Sequence, residues 1–149
     1  MIKVFNTEFE TSLKILLLLT AVEPESITIE RIVCYDFIST YGHSFSVYDM
    51  DINGENSYRY EEIGARRIRA AQAVKSLVLD GLLAVEKSSD GFRYKIHPAG
   101  KVIATSLNSE YGKNYFEAVK KTHSKYHAVT DMELITLINK KSVQLIRGV

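Results

Sequence analysis

A single cysteine, Cys34, stands in 149 residues, which excludes an intrachain disulfide and a cysteine-built metal cluster. Excess charge of either sign is also missing: 19 Lys plus Arg meet 18 Asp plus Glu, for a net charge of +1. Phosphate binding draws mainly on cationic side chains, so this balance argues against a free-standing nucleic-acid binder but leaves room for a local basic patch. The eight glycines are scattered, and none falls into the G-x-x-x-x-G-K spacing that cradles phosphates. The longest apolar run, Ile15 to Leu19, extends loosely to Val22, short of the roughly 20 residues a membrane span requires. Glu8 and Glu10 precede that run and Lys14 interrupts it, unlike the basic leader of a signal peptide. These absences predict a cytoplasmic protein that does not enter a membrane.

What is present suits one globular domain: 46% hydrophobic and 25% charged residues in a one-domain length. Thr7-Glu8-Phe9-Glu10 has capping-box spacing, which predicts a helix from about Glu8 to Val22, stopped by Glu23-Pro24. The second half, "ILLLLTAV", is apolar on every side, and such a helix must be surrounded. Leu13, Ile15, Leu16, Leu17, Leu18 and Leu19 are therefore expected to help form a subunit interface, with a second copy or another partner. A second helix is expected after Ser26 as its cap, running to Tyr41. Ile29, Val33, Phe37 and Tyr41 form its ridge at spacing four, widened by Cys34 and Ile38. Cys34 then reads as a small core residue rather than a nucleophile, since no base is identifiable beside it.

Gly42 to Ser57 is a long polar connection, of a length that often carries function or disorder. Its centre, "DMDING", opens like a calcium loop with Asp49, Asp51, Asn53 and Gly54. Asn56 and Tyr60 then stand where an aliphatic residue and a bidentate Glu are needed, so an ordinary turn at Asn53-Gly54 is expected instead, with no metal. From Glu61 to Asp80, Ile63, Ala70, Val74 and Leu77 mark one helical face. The stretch is tight for the two helices and short turn of a DNA-reading helix-turn-helix, although Gly64 could end a vestigial first helix. Arg66, Arg67 and Arg69 crowd its start. They could grip phosphates or an acidic partner, or form a solvated face neutralised by Glu61 and Glu62.

"SLVLDGLLAVEKSSDGFRYKIHPAG" (Ser76 to Gly100) predicts a helix end at Asp80-Gly81, a hairpin turn at Asp90-Gly91 and a new helix at Pro98. With Asp90-Gly91 as a type I′ turn, Ser89 faces Phe92, Lys87 faces Tyr94, Glu86 faces Lys95 and Val85 faces Ile96. A helix followed by such a hairpin is how the wing of a winged-helix domain is written. Lys87, Arg93 and Lys95 could touch phosphate from it. The helix at Pro98 is expected to reach about Leu107, and another to span Tyr111 to Tyr126 with Lys113, Lys120, Lys121 and Lys125 on a solvated face. His123 and His127 share that helix four apart, but no third ligand accompanies them, so no metal is expected. Thr130-Asp131-Met132-Glu133 is a second capping box, opening a terminal helix that ends near Gly148.

The fold expected is mainly α: one winged-helix domain over residues 1–149, with N-terminal helices at about 8–41, a helix and hairpin wing at about 60–97, and C-terminal helices at about 98–147. No histidine has an evident nucleophile and third member, so no enzyme and no cofactor are expected.

Four stretches together resemble one family: "VFNTEFETSLKILLLL" (Val4 to Leu19), "IERIVCYDFISTYG" (Ile29 to Gly42), "NGENSYRYEEIGARR" (Asn53 to Arg67) and "AVKSLVLDGLL" (Ala73 to Leu83). They look like the middle component of bacterial three-component ABC-ATPase systems, the group that includes Lamassu-type anti-phage defence. The resemblance covers about Val4 to Leu83, the hairpin more loosely, and from Tyr111 onward mainly helical character. It implies a non-catalytic adaptor beside an SMC-like coiled-coil ATPase and a separate effector, commonly a nuclease, in a DNA-sensing complex. The near-zero net charge and the eroded helix-turn-helix add the expectation that DNA is met nonspecifically if at all. The second reading is a homodimeric winged-helix transcriptional regulator.

Overall fold

The structure is a computed structural model that describes residues 8–52 and 63–146, and of 142–146 the backbone alone. Thr7 with its capping box, the Asn53-Gly54 turn, the Glu61 and Glu62 carboxylates and the helix end near Gly148 lie outside the described residues. The elements are α1 (Glu8–Ala21), α2 (Ile29–Thr40), α3 (Ile63–Leu79), β1 (Leu83–Ser88), β2 (Gly91–Ile96), α4 (Pro98–Ser106), α5 (Glu110–Tyr126) and α6 (Asp131–Ile146). The described residues are mainly helical with one antiparallel hairpin.

α1 is the axis of the fold. It packs on α3, α5 and α4 and also touches β2 and α2, so its apolar circumference is met on all sides within the chain. Ile15, Leu16, Leu17, Leu18 and Leu19 are all buried. The exposed remainder that the sequence pattern predicts for these five residues is therefore not found; the other helices cover it. Leu13 is half-buried.

The cap of α2 lies two residues later than expected. Ile27 exchanges both backbone hydrogen bonds with Tyr94 of β2, at 2.9 and 2.8 Å, which keeps the chain extended through Thr28. Thr28, rather than Ser26, then caps the helix, its hydroxyl accepting from the Arg31 N–H at 3.1 Å. The predicted ridge is otherwise as expected: Val33, Cys34, Phe37, Ile38 and Tyr41 are buried. Burial also pushes the Cys34 thiol up to about 12, which leaves it protonated at neutral pH.

The connection after α2 is less polar in its packing than in its composition. Phe45 and Val47 are buried, the Tyr48 hydroxyl donates to Asn114 at 3.0 Å, and the Ile52 N–H returns to the Thr40 carbonyl at 2.8 Å. Asp51 is occupied by the backbone N–H and hydroxyl of Ser44. Among the described residues no group of three or more metal-ligating side chains converges. Ile63 to Leu79 forms one uninterrupted helix with Gly64 inside it, so no break follows Gly64.

The hairpin differs from its predicted register by two residues. Leu83 pairs with Ile96, Val85 with Tyr94, Glu86 with Arg93, Lys87 with Phe92 and Ser88 with Gly91. The two-residue turn is thus Ser89-Asp90. Asp90 lacks the positive φ a type I′ turn demands; the one non-glycine residue with positive φ among those described is Ser46. The turn is held instead by its own polar groups. The Ser88 hydroxyl bonds to the Asp90 carboxylate and to the Gly91 carbonyl, and Arg93 donates to Asp90 at 2.8 Å. A shift of two leaves every side chain on the same face, so alternation could not reveal it. The Glu86–Lys95 ion pair survives as a diagonal contact at 3.0 Å. Gly91 does have a positive φ, +109°. Gly91→Val should therefore cost about 1–3 kcal/mol in a urea titration, the price of forcing a β-branched residue into that conformation. A cost below about 0.5 kcal/mol would show that the turn relaxes to another form.

α4 is capped by the His97 ring, which accepts from the Ala99 N–H at 3.0 Å, with Pro98 in the first turn. Gly100 lets α4 sit on the hairpin base: a Cβ there would lie 2.3 Å from the Leu82 carbonyl oxygen. α6 opens with the predicted capping box, in which the Thr130 N–H donates to Glu133 at 2.8 Å and the Glu133 N–H to Thr130 at 3.1 Å. Leu134 and Ile138 anchor it. No helix among the described residues is long and apolar enough to cross a membrane.

Candidate functional site

The face built by α3 and the hairpin carries the cations singled out in the sequence, and the structure engages most of them. Arg66 points inward and is buried. Its guanidinium donates to Asp36 of α2 at 2.5 Å and lies near the Phe37 and Tyr41 rings. Arg67 is half-exposed and pairs with Glu30 at 2.5 Å. Arg93 binds Asp90 and also donates to the Ser26 carbonyl at 3.0 Å. Lys95 holds Glu86, which in turn accepts from the Ser26 hydroxyl at 2.8 Å. Arg69 is half-buried, and Lys87 is exposed on the face of the hairpin that carries Phe92.

Asp36 is the centre of the first of two ionic clusters that sequence reading missed. Besides Arg66 it takes the Lys14 ammonium at 3.1 Å and the Tyr115 hydroxyl at 2.6 Å, joining α1, α2, α3 and α5. Burial alone would raise the Asp36 carboxyl; Lys14 and Arg66, with the Tyr115 hydrogen bond, outweigh it and hold it well below the usual carboxylate range. Burial lowers Lys14, and its single carboxylate, shared with Arg66, offsets only part of that. The available signal was one lysine and one aspartate, each set in an apolar stretch, "LKILLLL" and "CYDFI". Charges so placed must find each other.

A second cluster ties α6 and the loop before it to α2. The buried Arg31 donates to Asp131 at 2.8 Å, to the Tyr126 carbonyl at 3.1 Å, to the Val129 carbonyl, and to the Tyr35 hydroxyl at 3.2 Å. Tyr35 meets His123 Nδ1 at 2.8 Å, and His123 Nε2 meets Glu25 at 2.7 Å. A carboxylate can only accept, which places a ring proton on Nε2; in the neutral ring Nδ1 then accepts from the Tyr35 hydroxyl. His123 thus belongs to a hydrogen-bond chain rather than a metal pair with His127.

Between α3 and the hairpin lies an open groove of about 430 Å³. Val74, Val78 and Leu79 line it from the helix, and Val85, Phe92 and Tyr94 from the hairpin. Its apolar rim is unusually bare: Leu79 is 77% exposed and Phe92 56% exposed. Ile68, on the same stripe of α3 as Ala71 and Lys75, is 63% exposed.

Of the six cations singled out on α3 and the hairpin, Arg66, Arg67, Arg93 and Lys95 hold carboxylates of the same chain, and the groove beside them is mostly apolar. The chain belongs to the family described as ABC-three component (ABC-3C) system Middle Component 2, matched over residues 4–147. It is accordingly an accessory component of an ABC-three-component system. No curated protein and no solved structure matches it.

Proposed function

We propose that this chain is a non-catalytic adaptor in a Lamassu-like, DNA-sensing anti-phage defence complex, where it bridges an SMC-like ABC ATPase and an effector, commonly a nuclease. The scaffold is read as a winged helix. The order α1, Ile27 bridge, α2, α3, β1, β2 supports this, because the short extended segment between the first two helices pairs with the hairpin. In this reading α2, which ends at Thr40, is not followed by the three- or four-residue turn of the DNA-reading motif, since none of residues 41–52 is helical.

The observation that carries the proposal is the state of the α3–hairpin face. A wing on DNA needs its cations free, yet Arg66, Arg67, Arg93 and Lys95 each hold a carboxylate of the same chain. Reconstitution tests the bridge. Mixed with both other components of its system, the chain should bring ATPase and effector into one size-exclusion peak, and the two should separate when it is omitted. Co-elution without it would refute bridging. Duplex DNA should bind the isolated chain no tighter than roughly micromolar near physiological salt. A nanomolar footprint at one operator would instead establish the homodimeric regulator.

A further inference from the structure

We propose that the groove between α3 and the hairpin is the docking site for an amphipathic helix of a partner subunit, with an apolar ridge flanked by Asp or Glu. The proposal rests on the adaptor reading and adds the surface and the chemistry of what fills it. Helix-in-groove recognition places apolar anchors at helical spacing into a hydrophobic trough, and the trough here is lined mostly by apolar residues of α3 and the hairpin, with Ile29 of α2 beside them.

Charge selects among occupants. Lys75 lines the groove and Lys87 stands opposite Phe92 at its hairpin end. Neither has an ion-pair or hydrogen-bond partner among the described residues, unlike the other hairpin cations, Arg93 and Lys95. Among the described residues no carboxylate lines the groove. Two unmatched cations flanking an apolar floor call for acidic flanks on the ligand. A second copy seated about a two-fold axis would bring the same patch against itself, setting lysine towards lysine. Duplex DNA would cover Leu79 and Phe92 with phosphates while gaining only two free cations.

The test uses the full chain with each of the other two components of its system. Leu79→Asp and Phe92→Asp alter exposed positions, so circular dichroism and thermal melting should match wild type. Either change should weaken binding to one component on the order of tenfold or more, as expected for central apolar anchors. Lys75→Glu combined with Lys87→Glu should weaken it too, by an amount that shrinks as salt rises. Should Phe92→Asp disturb the hairpin, Leu79→Asp, on the outer face of α3, still decides. A carbodiimide, which joins lysine to carboxylate directly, should link Lys75 or Lys87 to acids on one helix of that component. Wild-type affinity in Leu79→Asp and in the double lysine variant would overturn the groove and leave the adaptor reading standing. Links from Lys75 to a second copy of this chain, with loss of a dimer in Leu79→Asp, would overturn it in favour of self-association. Failure of the wild-type chain to bind either component would overturn the adaptor reading, and this proposal with it.

Discussion

Asp36→Ala is expected to lower stability by about 3–5 kcal/mol, because it removes the carboxylate shared by Lys14 and Arg66 at a largely buried site. For a chain of this size that is a fall in Tm of roughly 10 °C, read by circular dichroism. Burial of the cluster makes the difference: the side chains of Lys14, Asp36 and Arg66 are 14%, 18% and 5% exposed, so the pairs escape the screening that makes surface pairs nearly worthless. Replacing all three with apolar residues of similar volume should recover much of the loss, since it removes the desolvation cost along with the attraction. A fall below about 1 kcal/mol in the single variant would mean that water enters the site. The same group sets an acid limb. Its folded carboxyl is held below the unfolded value of about 3.9, so its contribution is fully present above that pH. It is lost as pH falls through the folded value. In Asp36→Asn that part of the pH dependence should disappear.

Leu18→Asp should abolish folding outright. Leu18 is fully buried at the centre of the axial helix. Truncating such a residue to Ala alone costs about 2–5 kcal/mol, and an unpaired carboxylate adds to that. The sum is comparable with the whole stability of a domain, about 5–15 kcal/mol. Phe9→Asp, on the same helix at a position 71% exposed, is the control and should leave the far-ultraviolet spectrum unchanged. A folded, monomeric Leu18→Asp would show that α1 is not the centre of the core.

These two variants mark where sequence reading succeeds and where it stops. All-round apolarity in "ILLLLTAV" correctly demanded that the helix be surrounded, but periodicity says nothing about whether the surroundings are intramolecular. The helices from Pro98 onward were legible because their signals are local: Pro98 at a helix start, the Thr130–Glu133 box, and the Tyr115–Val119 stripe, whose buried side chains face the core. Local signals also misled. Ser26 is as good a cap as Thr28, and only the pairing of Ile27 with Tyr94, far along the chain, decides between them. The hairpin register went astray for a similar reason, as two registers two residues apart satisfy the same alternation. Arg66 was read with Arg67 and Arg69 as one surface cluster because they are adjacent in sequence, yet a helix turns Arg66 inward while Arg67 stays out. The Arg31–Asp131 link spans 100 positions, and nothing in either local sequence announces the other.

The isolation of Cys34 has a use at the bench. Its side chain is 1% exposed, and its thiol is pushed up to about 12, so maleimides and disulfide reagents meet almost no thiolate there while the fold holds. The natural chain is therefore already a silent background for labelling. A cysteine introduced at an exposed site such as 79 or 92 becomes the sole reporter, and a fluorophore placed there would register occupancy of the groove in the intact assembly without first removing the native thiol.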